Sequence, residues 1–313
     1  VHCRKQQNHR KRKGYANTGE TGIGSGIMNR CLFFLSLLFA CVQTNAQYTA
    51  DSIKSSEAAA ILLFLADDSL KGRGNGTKEL TIAADFIATR FDQAGLQPQP
   101  EAGSFYLPFV VNRHNHKSRR DSLYNVVGVL PGKSRASEIV LFSAHYDHIG
   151  EEDGVVHNGA NDNASGTTAL LLLANYFARR ADNERTLLFC AFAGEELGLL
   201  GSEAFAPLLK PENVMAVINM EMIGIPSVGK NAFFITGASY SNLQDIFRKN
   251  LAKKYKIRRE PAYDKQLFSR SDNYPFARRG IPAHTLMASD DDDACYHQPC
   301  DDAKRIHIEN MTN

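Results

Sequence analysis

Between Glu138 and Ala144 the chain reads EIVLFSA, and two more apolar runs follow: Arg185 to Ala193 (RTLLFCAFA) and Val214 to Asn219 (VMAVIN). Unbroken apolar runs of this length, rich in branched and aromatic residues, are strands buried on both faces. Helical patterns lie between and around them. One starts at Ser165 or Gly166 and runs to about Arg179. Strands alternating with helical segments predict an α/β fold with a largely parallel central sheet.

The residues that end these strands constrain the chain further. His145 and Asp147 follow the first run, Glu195 and Glu196 the second, and Glu221 the third. Asp162 lies in a tight polar loop (GANDNASG), and His297 follows a late strand, Pro282 to Ala288. Imidazole and carboxylate are the usual ligands of zinc. Ligands of open α/β sheets gather beyond the carboxyl ends of the strands, where all of these residues fall. Like charges about 4 Å apart repel by about 4 kcal/mol per pair at an effective dielectric of 20. Two zinc ions and a bridging hydroxide balance Asp162, Glu196 and Glu221, which leaves Glu195 free to move a proton.

The first 46 residues read differently. Residues 1–27 are basic, then rich in Gly and Ser, and are expected to be disordered or not native to the protein. From Met28 the sequence MNRCLFFLSLLFACVQTNAQ gives Arg30 as n-region, Cys31 to Val42 as h-region, and Thr44, Asn45 and Ala46 as a small-residue cleavage site. Residues 28–46 therefore resemble a secretory signal peptide. The apolar run is too short to span a bilayer, so no stable membrane insertion is expected after cleavage. The mature chain, 47–313, is expected to be a single exported domain, periplasmic or extracellular; a lipid anchor at Cys41 is the alternative. Arg4, Lys5, Arg10, Lys11, Arg12, Lys13 and Arg30 all precede Gln47, so the formal charge of +2 belongs to the leader and the body is mildly acidic. Nothing in it favours nucleic acid.

Other elements are read from periodicity. Helices are expected over Ser55 to Ala66, Glu79 to Ala94 and Tyr240 to Tyr255, and strands over Phe105 to Val111 and Tyr124 to Leu130, joined by a basic loop (Asn112 to Arg120). The final KRIHIENMTN starts a further helix whose end is expected to be missing. Cys295 and Cys300 bracket Tyr296 and His297; in an exported protein they would pair as a disulfide, with two free thiols as the alternative. The run Asp290 to Asp293 could hold calcium or be a solvated loop.

In order, HYDHIG, GANDNASG, GEELGLLGS, NMEMIG, SRSDNYPF and YHQPCDD resemble the co-catalytic zinc aminopeptidases of metallopeptidase family twenty-eight, from about Gly72 to Asn313. The resemblance implies a three-layer α/β/α fold with a mixed central sheet and two zinc ions per chain. It gives His145 and Glu221 to one zinc, Glu196 and His297 to the other, and Asp162 to both. Glu195 matches the general base and Asp147 the carboxylate that orients His145. Tyr296 is a candidate to stabilise the oxyanion. The family more often carries Asp where this chain has Glu221. The substrates so implied are the amino-termini of peptides or proteins. Two readings on a similar fold compete: a single-zinc glutaminyl-peptide cyclase, and a binding module without catalysis, whose relatives lack the ligands that this chain retains. There is no HExxH helix, no G-x-S-x-G elbow and no Cys-x-x-Cys.

Overall fold

The structure is a computed structural model that describes residues 52–112, 120–261 and 265–312. The chain divides into two units, Val1–Tyr48 and Thr49–Asn313, and the described residues belong to the second. The expected upstream segment and signal peptide, and most of the basic loop, lie outside the described residues.

Helix α1 (Ser55–Leu65) buries Ala58, Ile61, Leu62 and Leu65, the i, i+3, i+4, i+7 positions of one face. Helix α2 (Lys78–Gln93) starts where the Thr77 hydroxyl accepts the Leu80 N–H at 3.2 Å. It stops before Gly95, whose φ of +80° suits the left-handed turn that ends a helix. Strands β1 (Gln97–Pro98), β2 (Tyr106–Asn112) and β3 (Arg120–Leu130) form an antiparallel rim, and β3 begins earlier than its apolar pattern suggests. Then come β4 (Arg135–His145), the small hairpin of β5 (Gly150–Glu152) and β6 (Val155–His157), helix α3 (Gly166–Arg180) and β7 (Arg185–Phe192). Short helix α4 (Leu200–Phe205) leads to β8 (Val214–Met220) and β9 (Ala232–Ile235).

The helix expected over 240–255 is only α5 (Leu243–Asn250). Ser241 is extended, its hydroxyl accepts the Leu243 N–H, and Leu251 leaves the helical region, so both ends unwind into loops that lead to β9 and β10 (Lys256–Ile257). The chain closes with α6 (Tyr274–Ala277), β11 (Ala283–Met287) and the short α7 (Ile308–Thr312).

The main sheet runs β1-β3-β7-β4-β8-β11-β9-β10, with β2 beside β3. Its middle, β7-β4-β8-β11, is parallel; β3 joins β7 and β9 joins β11 antiparallel, so the sheet is mixed. Alternate residues of the middle strands bury opposite ways. Phe142, Phe189 and Ala191 pack with α1, α2 and α3, whereas Leu141, Leu188, Cys190 and Phe192 pack with Phe205 and Phe276 on the other side. Helices on both faces make the three-layer α/β/α arrangement and explain why these strands show no polar alternation. Among the described residues no helix is long and apolar enough to cross a membrane.

One polar rung crosses the sheet just below the strand ends. Ser143 Oγ donates to Asn219 Oδ1 (2.8 Å), Asn219 Nδ2 donates to Thr285 Oγ1 (3.2 Å), and Thr285 Oγ1 donates to Asn273 Oδ1 (2.8 Å). These buried groups satisfy one another, which fixes the relative height of β4, β8 and β11.

Candidate metal centre

Parallel strands present their last residues at one edge, so His145, Glu195, Glu196 and Glu221 emerge side by side beyond β4, β7 and β8. Asp162 is brought over them by the irregular turn Ala160–Ser165, in which the Asp162–Asn163 peptide bond is cis. Gly159 enters that turn at φ +55°, and a Cβ there would meet Asp162 O at 2.2 Å and the His148 ring at 2.5 Å. Only glycine fits. On the far side Asn163 Oδ1 accepts the Gly166 N–H (3.0 Å) and Asn163 Nδ2 donates to Met220 O (3.0 Å), locking the turn to β8.

The decisive geometry is around Asp162. Its Oδ1 is 3.3 Å from His145 Nε2, and its Oδ2 is 3.1 Å from His297 Nε2. His297 Nε2 is also 3.2 Å from Glu196 Oε2. Two donor groups result, each with all atoms within 4.8 Å of one another: His148, Asp162, Glu196 and His297, and His145, Glu195 and Glu221. All five ligands named from sequence are therefore together, with Asp162 between the two groups.

Asp147 is fully buried, but it is the Asp147 main-chain oxygen that lies nearer the His145 ring: Nδ1 is 3.2 Å from Asp147 O and 3.8 Å from Oδ1. The Asp147 carboxylate accepts the Glu195 and Glu196 N–H groups at 3.3 Å each and Asn75 Nδ2 at 2.6 Å. It thereby ties the turn after β7 to the turn after β4. Tyr296 stacks on His297 with ring centroids 3.9 Å apart, and its hydroxyl accepts from Arg270 Nη2 at 3.4 Å. Cys295 and Cys300 are joined in a disulfide, and Cys190 is buried and free.

Three participants escaped the sequence reading. His148 Nδ1 is 2.8 Å from Glu196 Oε1, and its position inside HYDHIG was the available signal. Asp272, in SRSDNYPF, is buried behind the site and accepts the Ser202 hydroxyl at 2.6 Å. Arg73 lies between Gly72 and Gly74 and carries no signal a single sequence displays. In the acidic run near 290, Lys265 Nζ lies 3.0, 3.2 and 2.6 Å from Asp290, Asp291 and Asp292, whose carboxylates also stand within 4.8 Å of one another.

On the protein's own charges the carboxylates repel and are poorly solvated. Burial pushes Glu195 well above the carboxylate range, Glu221 up to about 7 and Asp272 up to about 6. Burial also opposes ionisation of Asp162, but the adjacent His145 and His297 imidazoles hold it well below its usual range. Burial draws His297 down, yet Asp162 and Glu196 outweigh it and raise the imidazole to about 10.

The residues fit zinc. His145 Nε2 is buried without a hydrogen-bond partner and lies 3.3 Å from Asp162 Oδ1, and with His297 Nε2 and the clustered carboxylates it forms a nitrogen-and-oxygen donor set of the kind zinc takes. The cleft over the two groups has a volume of about 460 Å³, and its walls include Met222, Leu267, Met287 and Tyr296. A larger cavity of about 730 Å³, beside Tyr240, Phe268 and His284, contains none of the candidate ligands.

Residues 125–313, more than half of the chain, match the model of peptidase family M28. The chain belongs to peptidase family M28. A probable leucine aminopeptidase of Trichophyton verrucosum is 30% identical over 199 residues, covering 60% of this M28 chain and 53% of the relative. Aminopeptidase YwaD of Bacillus subtilis is 27% identical over 199 residues, covering 60% and 41%. The chain spans about half the length of the curated relatives it matches. A zinc aminopeptidase from Bacillus subtilis superposes with a TM-score of 0.62 at 16% identity, covering 82% of this chain and 91% of that one. The glutaminyl cyclase of Porphyromonas gingivalis superposes at 0.64 and 16% identity, covering 84% and 95%. At such identities the likeness is one of fold, an M28 fold that different activities share.

Proposed function

We propose that the protein is an exported aminopeptidase that hydrolyses the N-terminal peptide bond of peptides and holds two zinc ions. His145, Glu221 and Asp162 would hold one ion; Asp162, Glu196 and His297 would hold the other. The observation that carries this reading is the split of Asp162, one oxygen toward His145 and the other toward His297. Zinc held there supplies Lewis acidity, polarising a carbonyl and making water more acidic.

The chain's own residues do the rest. Glu195 takes the proton of the attacking water and delivers it to the leaving amine; its carboxylate stands within the His145 and Glu221 donor group without being needed as a ligand there. Asp147 fixes the main chain of Glu195 and Glu196, so the base and its neighbour cannot shift independently. Tyr296, steadied by Arg270, offers its hydroxyl at the mouth of the cleft as a donor to the developing oxyanion. The cleft's Met222, Leu267 and Met287 wall suits one apolar side chain at the substrate's amino-terminus. Export rests on the leader-like segment 28–46, and the disulfide at 295–300 is in keeping with an oxidising compartment.

The test is a panel of aminoacyl-nitroanilides together with metal analysis of the same sample. The expected result is release of the free amino acid, loss of turnover in a chelator and recovery on adding zinc. Cyclisation of an N-terminal glutamine with a single zinc per chain would establish the cyclase instead. Zinc-loaded protein that releases no amino acid from any substrate would overturn the reading.

A further inference from the structure

Arg73 is 1% exposed, and its guanidinium hydrogen-bonds to main-chain carbonyls alone. Nε donates to Tyr146 O at 2.8 Å, Nη1 to Asn158 O at 2.7 Å and to Leu65 O, and Nη2 to Gly159 O at 3.0 Å. Its backbone sits at φ +52°, a conformation that disfavours side chains. A buried cation in a strained conformation is expensive, and here it gathers the turn that follows His145 and the turn that precedes Asp162.

The other end of the second turn meets a buried anion. Asp301 is 1% exposed, and its carboxylate accepts the Asn161 N–H at 2.9 and 3.1 Å and the Asp162 N–H at 3.0 Å. Its main-chain oxygen accepts the Ala160 N–H at 3.1 Å. Carbonyls 158 and 159 thus point at a positive charge while amides 161 and 162 point at a negative one. Peptide dipoles lying between opposite buried charges are held more firmly than by neutral partners, because charge-assisted hydrogen bonds are roughly twice as strong.

We propose that Arg73 and Asp301 form a charge clamp on residues 158–162 that sets the orientation of Asp162, and so act as positioning residues for both metal positions. The proposal rests on the reading of Asp162 as a ligand common to the two groups. Neither clamp residue is a ligand in that reading. Their effect passes through the main chain, as outer partners of a metal site commonly do when their loss costs 10–100-fold in affinity.

The test compares Asp301→Asn, Arg73→Lys, Arg73→Met and the Asp301→Asn/Arg73→Met double variant with Asp162→Asn. The readouts are zinc affinity by chelator competition, the visible spectrum of the Co²⁺-substituted protein, and thermal stability. Asp162→Asn should abolish binding of at least one zinc; if it leaves both in place, the reading of the site itself fails. Provided that control behaves, Asp301→Asn should lower zinc affinity about 10-fold or more and alter the Co²⁺ spectrum. Arg73→Lys should recover part of what Arg73→Met loses, and the double variant should lose less than the two single losses combined, since both act on one turn. Clamp variants that lose stability but keep the unaltered zinc affinity and Co²⁺ spectrum would overturn the proposal. Should Arg73→Met fail to fold, the two conservative variants decide the question alone.

Discussion

His148 Nδ1 stands 2.8 Å from Glu196 Oε1, while the other oxygen of that carboxylate, Oε2, lies 3.2 Å from His297 Nε2. Glu196 is therefore held on one side by a residue that follows β4 and faces, on the other, a residue from near the end of the chain. We predict that His148→Phe, which keeps the ring volume and removes the nitrogen, weakens the zinc associated with Glu196 and His297 by about 10–100-fold. Chelator competition measures this directly. Unchanged affinity would mean that Glu196 holds its position without His148.

Glu195→Gln is expected to keep both zinc ions and lower kcat by about 100–10,000-fold, the usual worth of a positioned acid–base group. Metal analysis and steady-state kinetics on one preparation check it. Loss of a zinc from this variant would assign a ligand role to Glu195, which sits within the His145 and Glu221 donor group.

The raised pKa values make zinc binding a proton-releasing event. At pH 7 the metal-free His297, raised to about 10, is protonated, and Glu221, raised to about 7, is half protonated; both must be deprotonated to ligate. Affinity should therefore rise with pH between about 7 and 10 and fall steeply below 7. The sign is opposite for the metal-free fold. A raised His297 pKa adds stability that is full below its unfolded value near 6.5 and lost as pH climbs through about 10. Calorimetry of zinc binding at pH 7 in buffers of different ionisation enthalpy should show release of more than one proton. A buffer-independent heat would contradict the assignment.

The disulfide between Cys295 and Cys300 spans His297 and precedes Asp301. Closing so short a loop is worth about 2 kcal/mol in chain entropy, and the bond also pins the main chain that carries His297. Reductant, or the paired Cys295→Ser and Cys300→Ser change, should ease removal of the zinc near His297 and Glu196 more than the one near His145 and Glu221. Chelator titrations of activity with and without reductant test this. Superimposable curves would show that the turn holds itself without the bond.

The middle of the sheet was legible because β4, β7 and β8 are buried on both faces and so read as unbroken apolar runs. The candidate ligands were legible because parallel strands deliver their ends to one edge. Strands β5, β6, β9 and β10 were not, since two to four residues leave no period to detect. Helix α5 was overdrawn for a different reason: a turn set by the Ser241 hydroxyl cut short a pattern that looked continuous. Arg73 and Asp301 stayed hidden because their partners are main-chain atoms of distant residues, and a backbone amide or carbonyl has no letter in the sequence. Asp147 shows the same limit at closer range. Its place beside His145 was readable, but its carboxylate serves the amides of Glu195 and Glu196.

Strand β11 lies between β8 and β9, although β9 precedes it in the chain by some fifty residues. While the polypeptide is being made, β8 therefore has one unpaired edge from the moment Met220 emerges until Ala283 follows it. At 5–20 residues per second that interval is roughly 3–12 s. An open row of amides and carbonyls on an apolar strand is a template for any extended segment nearby. This exposure to mispairing falls during the chain's own synthesis, and it ends when the last central strand slots into the gap left for it.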